Sequence, residues 1–423
     1  MKKILVIYSY VNYSGSTTLE YLFSFKKYSN HKIYYLNLFF NKNVHLLSKV
    51  KFDAIFIHYT IFSTIPYRFE KYSRLLNKIE AYNAIKVAFF QDEWYKTDVY
   101  CQIVNNFNLD IVFSVAPEAE IPKMYTGVDF EKVKFHRILT CYIDEKVQKR
   151  IEKQEIDRDI DVFYRTNFTK KHKNMGSYIL HKKEIAEQII AHPQSKNLKL
   201  DISFNPRDYL RGFSWYKALL RAKYTLGIDS GVNFMDRDGS VQKQVNDYLL
   251  KYPNASFDEV KEACYQNQDD NISYFAISPR NIQACMTRTC QILLEGEYNG
   301  ILKPNIHYIE VKKDYSNLDE VMNLMRNESF RMELVNNAYN DVVKSGKYTY
   351  QVFVDYIFEK INFKYASSTT RIETFFYYLI NMMDKINWMK VWVNTKVTLK
   401  FYHLIVLIFS EKKINMFRAK IKI

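Results

Sequence analysis

The chain has 423 residues, of which 48% are hydrophobic and 25% charged, and its formal net charge is +15. This composition excludes a disordered chain, and the length exceeds the ~250–300 residues at which a single core stops growing, so two domains are expected. The five cysteines are odd in number and contain no CxxC pair, which argues against a disulfide framework or a zinc site and favours a reducing cytoplasm.

Apolar runs alternate with helical stretches over the first 145 residues. The predicted strands are 2–10, HKIYYLNL, 52–60, 85–93, 110–117 and 133–144, and helical connectors such as SGSTTLEYLFSFKKYS and IPYRFEKYSRLLNKIEAY lie between them. This alternation predicts a parallel sheet covered on both faces. The apolar start of the chain is a first strand and not a signal peptide, because no cleavage site of small residues follows it.

Polar residues follow several of these strands. The loop SYVNYSGSTT matches neither a dinucleotide fingerprint nor a P-loop, and it fits a ligand-binding loop and a plain turn equally well. His58 ends one strand at the edge where parallel sheets bind ligands. It is either a catalytic candidate or a half-buried histidine whose hydrogen bonds are satisfied within the protein. Asp92 and Glu93 end the next strand. Because adjacent residues of a strand point to opposite faces, only one of these carboxylates is expected to face the cleft, where it could act as a base or bind the acceptor hydroxyl. The alternative is that both lie in a solvent-exposed turn.

The charged run 145–159 marks the predicted domain boundary, with a first domain at 1–150 and a second at 158–347. The predicted strands of the second domain are IDVFYR, LKLDIS, 224–231, FAISPR, QILLEG and 307–311, and its helices include KKEIAEQIIAH and FSWYKALLRAK. A closing helix at 348–362 ends this domain. The sequence therefore predicts an α/β protein of two doubly wound, Rossmann-like domains in tandem.

The second half also carries candidate ligand residues. Arg165 ends a strand and Arg280 stands at a helix start, so each can hold a diphosphate, although surface salt bridges are the plainer alternative. The helix start after Ser278 and the end of the strand QILLEG converge as they would around a nucleotide. The loop Asp236–Gly239 resembles a calcium loop but lacks the twelfth-position glutamate, so no metal site is predicted.

The tail 366–423 differs from both domains. Its Lys and Arg residues outnumber its acidic residues by ten to three, and large apolar residues lie between them. The longest uncharged run, FYHLIVLIFS, is shorter than the ~17–25 residues of a membrane-spanning helix. Spaced lysines beside Trp388, Trp392 and Phe401 favour an amphipathic helix on an anionic membrane surface, and a helix packed on the protein or a partner chain is the alternative.

The block 224–320 resembles bacterial group 1 glycosyltransferases of surface-polysaccharide clusters, which make capsule or O-antigen. The matching motifs are LGIDSGVNFMDRDGS, ISPRNIQACMTRTCQILLEGEYNGILKPNIHYIEV and SNLDEV, with weaker matches at FIHYT, FFQDEW and IDVFYR. The resemblance implies the two-domain GT-B fold, a nucleotide-sugar donor on the second domain, an acceptor on the first, and no catalytic metal.

The resemblance also implies roles for individual residues. His58 becomes a cleft residue near the transferred sugar, beside the catalytic candidates Asp92 and Glu93. The implied donor-binding residues are Arg165, Ser230, Gly231, Ser278, Arg280, Asn281 and Gln283. Gln283 departs from the family, which has at this position the acidic residue that typically holds the donor ribose. The run DSGVN at 229–233 is a second departure, since Glu-Gly-Gly and a Ser are expected there.

The sequence thus favours an enzyme that moves a sugar from a nucleotide-sugar to a lipid-linked or growing surface glycan, without a metal cofactor, at the inner face of the cytoplasmic membrane. Gln283 keeps open a catalytically silent relative that acts as a membrane-bound scaffold. A nucleic-acid-binding protein is disfavoured because RNP, zinc and helix-turn-helix patterns are missing, and a dehydrogenase because the glycine fingerprint is missing.

Overall fold

The structure is a computed structural model that describes residues 1–10, 16–40, 44–62, 79, 82–166, 170–266, 268, 270–363 and 370–408. Side chains are described throughout these ranges except at 16, 44–46, 170–171 and 394–408. Most of the predicted connector 65–82 and part of the loop 9–18 lie outside the described residues.

The strands and helices have the following bounds. The strands are β1 (Lys3–Tyr8), β2 (Lys32–Asn37), β3 (Ala54–Ile57), β4 (Ile85–Phe90), β5 (Ile111–Ser114), β6 (Lys134–Arg137), β7 (Ile160–Arg165), β8 (Leu200–Ser203), β9 (Ala222–Gly227), β10 (Ser230–Val232), β11 (Tyr274–Ala276), β12 (Cys290–Leu294) and β13 (Ile309–Val311). The helices are α1 (Ser16–Tyr28), α2 (Tyr59–Phe62), α3 (Thr97–Asn106), α4 (Ile121–Met124), α5 (Glu145–Glu152), α6 (His181–Ala191), α7 (Phe213–Arg221), α8 (Ser240–Lys251), α9 (Phe257–Tyr265), α10 (Pro279–Met286), α11 (Leu318–Leu324), α12 (Glu328–Ala338), α13 (Tyr350–Glu359) and α14 (Arg371–Ile408).

Two parallel sheets form the scaffold. The first has the order β2-β1-β3-β4-β5-β6, and the second, read from its other edge, has the order β8-β7-β9-β12-β13. Neighbouring residues of β7, Val162 and Phe163, belong to core clusters on opposite faces of the second sheet. A continuous apolar strand buries both faces in this way. The predicted class, two tandem doubly wound α/β domains, is confirmed.

The two sheets share one topological feature. In each, the second strand lies outside the first, and the third strand lies on the first strand's other side, so the winding reverses between β1 and β3 and between β7 and β9. Open parallel sheets bind ligands beyond the carboxyl ends of the strands at such a switch point. The topology therefore indicates one crevice in each domain.

Strands β10 and β11 form a separate two-stranded antiparallel sheet, which was not predicted as a pair of strands. Its close pairing requires glycine at 231, because a Cβ there would lie 1.9 Å from the carbonyl oxygen of Tyr274. Val232 and Tyr274 are buried in the core cluster of the first domain, although both follow the third strand of the second. The helices α8 and α9 between the two strands pack on each other around Phe234 and Val260.

The domain limits differ from the prediction at two places. Cys141, Ile143 and Ile151 share a core cluster with second-domain residues, so the boundary falls before residue 150, and helix α5 occupies the charged run. The closing helix α13 buries Tyr350 and Phe353 in the core of the first domain, and does not end the second. The chain thus returns to its first domain after completing the second.

Helix α14 packs one face on the first domain. Tyr377, Ile380 and Val391 are buried there, and the ring of Trp388 stacks on Tyr8 at 6.1 Å. This face corresponds to the alternative in which the helix packs on the protein. None of the helices in the described part of the chain has both the length and the apolar character needed to cross a membrane.

A hydrogen bond within this interface depends on pH. The Tyr8 hydroxyl donates to Asp384 at 2.8 Å. Burial raises the pKa of Asp384 to about 6, while the Tyr8 bond and the charge of Lys26 oppose that rise. Because the folded pKa lies above that of an unfolded aspartate, about 3.9, the interface gains stability as the pH falls through 6.

We expect Asp384→Asn to stabilise the protein by about 1–3 kcal/mol near neutral pH and to flatten its pH dependence between about pH 5 and pH 7.5. An amide oxygen still accepts the Tyr8 hydrogen bond but carries no buried charge. Thermal unfolding of both proteins across this range provides the measurement, with Tyr8→Phe as the control that removes the donor alone. A destabilised Asp384→Asn at neutral pH would contradict the prediction.

Candidate functional site

A cavity of about 260 Å³ lies at the switch point of the second sheet. The ends of β7 and β9 form its floor, and the starts of α6 and α10 form its rim. It is lined by Tyr164, Thr166, His172, Lys182, the run 225–230, Ser278, Arg280, Asn281 and Gln291. The predicted donor residues Ser230, Ser278, Arg280 and Asn281 thus come together, as convergence of a helix start with strand ends requires.

Helix α10 is fixed at its start by a capping box. The Ser278 hydroxyl accepts from the backbone N–H of Arg280 at 3.3 Å, and the side chain of Asn281 accepts from the N–H of Ser278 at 3.0 Å. These bonds, together with Pro279, use the first N–H groups of the helix. Because those N–H groups are already bonded, an anion in the cavity would be attracted by the positive end of the helix dipole and by the Arg280 side chain.

Arg158 holds the other end of α10. Its guanidinium donates to the carbonyl oxygens of Thr287 at 2.7 Å and of Leu219, at the end of α7, also at 2.7 Å. It also donates to Arg288 and Ala222 carbonyls and to the Thr289 hydroxyl. Burial lowers the pKa of Arg158 to about 10, so it stays charged. A cation at two helix C-termini stabilises both dipoles.

Lys182 and Arg280 place two cations in the cavity. Arg280 donates to the carbonyl oxygen of Arg165 at 2.6 Å and lies over the ring of Trp215 at 5.2 Å. Burial and then the charge of Arg280 lower the pKa of Lys182 to about 8, and the carboxylate of Asp92 opposes this shift. Two like charges held together in a half-buried cavity favour an anionic ligand.

Asp229 supplies a carboxylate to the same cavity. It is buried and accepts from the backbone N–H groups of Glu297 at 3.0 Å and Tyr298 at 3.2 Å. Gly296 permits this contact, since a Cβ there would lie 2.4 Å from the Asp229 carboxylate. Burial raises the pKa of Asp229 to about 6, which the two N–H groups oppose. Such a group suits ligand hydroxyls.

Neither Asp92 nor Glu93 lines the cavity, but Asp92 lies close enough to Lys182 for the two charges to interact. Asp92 is exposed; desolvation by the surrounding protein raises the pKa of its carboxyl, and the charge of Lys182 opposes this rise. Glu93 is buried and accepts from the hydroxyls of Ser114 and of Tyr274, the latter at 2.7 Å. Tyr274 in turn accepts from the backbone N–H of Asp92 at 3.1 Å.

Four further predicted site residues, besides Asp92 and Glu93, lie outside the cavity lining. His58 is buried, with Nδ1 3.0 Å from the Thr60 hydroxyl, and burial lowers its pKa to about 3. The Arg165 side chain pairs with Asp201 at 2.5 Å and does not line the cavity. Gln283 is buried under α10, where it donates to the Tyr216 hydroxyl at 3.3 Å. Gly231 lies in β10, where it pairs closely with β11.

Lys182 was missed by the sequence analysis. It stands among three consecutive basic residues, His181 to Lys183, at the start of the first helix that follows β7. A helix beginning after the first strand of a doubly wound sheet is a signal for a ligand contact. The rotation of the helix decides which side chain faces the cavity, and only the fold provides it.

The described part of the chain brings no three His, Cys, Asp or Glu side chains together as metal ligands. The acidic loop Asp236–Gly239 instead caps α8: Asp236 accepts from the N–H groups of Gly239 at 3.0 Å and Gln242 at 2.9 Å. Its residues thus serve the start of a helix.

No protein-family model matches the chain, and no curated protein matches it. Among solved structures it is similar to TarM from S. aureus, at 12% identity and a TM-score of 0.39, over 75% of this chain and 57% of TarM. It is similar to Anabaena HepE in complex with UDP and glucose, at 10% identity and 0.43, over 85% and 99% of the two chains. It is also similar to an alpha-glucosyltransferase in complex with UDP, at 11% identity and 0.47, over 85% and 99%. The chain spans little more than half the length of TarM.

We expect inorganic pyrophosphate to bind the cavity and to bind roughly tenfold more weakly as the pH rises from about 7 to about 9.5, because Lys182 loses its charge above its pKa of about 8. Titration calorimetry provides the affinity at each pH. Lys182→Arg keeps its positive charge over this range, so its binding should vary with pH only as far as the ionisation of pyrophosphate itself requires. Lys182→Gln should bind pyrophosphate weakly at every pH. An equally steep loss in Lys182→Arg would assign the dependence to another group.

Proposed function

We propose that the protein is a glycosyltransferase that takes a sugar from a nucleotide-sugar donor. The observation that carries this proposal is the convergence of Lys182, Arg280 and the start of α10 at the switch point of one domain, opposite Asp92 of the other. A cationic cavity on one side of a cleft and a carboxylate on the other suit a reaction between an anionic donor and a hydroxyl-bearing acceptor.

Each residue of the cavity has a place in this reaction. Lys182 and Arg280 bind the diphosphate, and Asp229 accepts hydroxyl groups of the donor. The bond between the sugar's anomeric carbon and the diphosphate oxygen breaks, and its electron pair leaves with the nucleoside diphosphate. The acceptor oxygen forms the new bond to that carbon, and Asp92 takes the acceptor's proton. Lys182 and Arg280 stabilise the charge that develops on the leaving diphosphate.

We further propose that the transfer needs no metal ion. The charge that a divalent cation would neutralise falls beside two fixed cations and the positive end of a helix. Lys182 lies at the start of α6 and Arg280 at the start of α10, so both side chains extend from helices anchored in the domain. Such preorganised groups need little rearrangement as the diphosphate leaves.

The proposed acceptor is a lipid-linked or growing surface glycan at the inner face of the cytoplasmic membrane. Support comes from the outer face of α14, where apolar side chains three or four residues apart are exposed. They are Ile372, Phe375, Tyr378, Met382, Ile386, Met389 and Trp392, and Val393 is exposed beside Trp392. Lys385 and Lys390 are exposed beside them. A helix with one face fixed on the protein and an apolar, lysine-flanked outer face suits an anionic bilayer surface.

A catalytically silent scaffold is the second candidate function. It was suggested by Gln283, which stands where the resembled family has an acidic residue. Gln283 lies outside the cavity and bonds Tyr216, so this substitution leaves the lining unchanged. The carboxylate that is missing at 283 has a counterpart in the cavity at Asp229. These positions favour the enzyme over the scaffold.

A nucleotide screen tests the proposed function. We expect one of UDP, GDP, CMP, ADP and dTDP to raise the melting temperature of the full chain, and Arg280→Ala to lose most of that shift, because the mutation removes one of two diphosphate-binding cations. Asp92→Asn should retain nucleotide binding while sugar transfer from the matching donor falls roughly 100-fold or more. Failure of every nucleotide to bind would favour the scaffold.

Vesicle sedimentation tests the membrane surface. We expect the protein to bind phosphatidylglycerol vesicles, more weakly in high salt, and the double variant Met389→Ser/Trp392→Ser to bind roughly tenfold more weakly. Leu250→Ser, which removes an apolar side chain 80% exposed elsewhere on the surface, is the matched control. Equal binding by all three proteins, or a concentration-dependent dimer that the double variant disrupts, would overturn this part of the proposal.

A further inference from the structure

A second cavity, of about 380 Å³, lies where both domains meet helix α13; it is called the junction groove here. The first domain contributes Arg137–Leu139 and Tyr142, the second contributes Asn299 and Ile301, and Lys347 to Tyr356 close it. The groove shares no lining residue with the donor cavity. Its Arg137 guanidinium donates to the carbonyl oxygen of Phe275, in strand β11, at 3.0 Å.

The lining of the junction groove combines rings with cations. Tyr142, Tyr348, Phe353 and Tyr356 provide aromatic surface, and the rings of Tyr142 and Phe353 stack at 4.6 Å. Arg137 and Lys347 provide positive charge, and none of the described residues that line the groove is acidic. Such a lining fits a ligand that has one flat apolar face and a negatively charged oxygen-bearing edge.

Arg137 has an unmet hydrogen-bonding group. Its Nε is buried and has no partner among the described residues. Burial lowers the pKa of Arg137, and the nearby carboxylates of Glu297, Glu118 and Asp229 oppose this shift, although within the described residues none of the three forms an ion pair with it. A buried donor on a cation that lacks an oxygen partner is costly, and a ligand oxygen relieves that cost.

We propose that the junction groove binds an acidic saccharide at a site separate from the donor cavity. The sugar ring lies against the tyrosines, its carboxylate meets Arg137 and Lys347, and Asn299 is placed at the rim for a hydroxyl. This inference rests on the proposed function for its ligand, a unit of the glycan on which the transferase acts. It adds a second point of attachment for that glycan, outside the donor cavity.

The test measures binding of a glucuronic-acid oligosaccharide to the full chain by saturation-transfer NMR and calorimetry, with an uncharged glucose oligosaccharide of equal length as the second probe. We expect the acidic probe to bind at least roughly tenfold more tightly than the neutral one. Arg137→Gln, which keeps a donor for Phe275, should weaken binding of the acidic probe roughly tenfold. Val352→Trp, introduced at an exposed groove position, should block it.

Lys344→Ala is the matched control, because Lys344 is an exposed lysine of the same region that lies over Tyr339, outside the groove. Its binding should equal that of the unaltered chain. Equal binding of both probes, no binding of the acidic probe, or binding that survives Val352→Trp would overturn the inference. Nucleotide binding is measured on the same samples. Binding of the acidic saccharide without binding of any nucleotide would reject the proposed transferase function but keep the groove as a saccharide site. Binding of a nucleotide without binding of the saccharide would reject only the groove proposal.

Discussion

The contact between Tyr274 and Glu93 fixes how the two domains face each other. Tyr274, on strand β11, donates its hydroxyl hydrogen to the buried carboxylate of Glu93, which follows β4 of the first domain. The same hydroxyl accepts from the backbone N–H of Asp92. Desolvation raises the pKa of Glu93, and hydrogen bonds from Ser114 and Tyr274 oppose it. The hydrogen bond to Tyr274 holds the backbone of Asp92, whose carboxyl lies close enough to Lys182 for their charges to interact. Gly231 lets β10 pair closely with β11 at Tyr274.

The donor cavity depends in turn on a helix that is held at both ends. Ser278 and Asn281 cap the start of α10, and Arg158 binds the carbonyls at its other end. Arg158 also binds the end of α7, which carries Trp215 and thus the ring under Arg280. Arg158, a half-buried cation outside the cavity lining, thus holds the two helices that carry Arg280 and the ring beneath it. A positioning network of this kind supports side chains whose geometry matters for binding.

The sequence indicated the scaffold well and the site only in part. Strands such as β1 and β12 are continuous apolar runs bounded by polar residues, so their burial on both faces follows from composition alone. The same reasoning places His58 and Arg165 at the ligand edge of their sheets, but it cannot show that neighbouring residues occupy them first: Thr60 pairs with His58, and Asp201 with Arg165. Lys182 was invisible for the opposite reason, since nothing in a run of basic residues marks the one that the fold turns inward. The pairing of α13 with the first domain is a long-range contact, which local patterns do not encode.

The order of the chain and the order of its cores do not coincide. The first domain completes its core with Tyr350, Phe353 and Ile357 of α13, and then with Tyr377, Ile380 and Val391 of α14. Domains generally fold as units during synthesis, beginning from the N-terminus. Here the second sheet, with all its strands inside 160–311, can close while the first still lacks two helices. On the ribosome, the domain that begins first is therefore the one that is completed last.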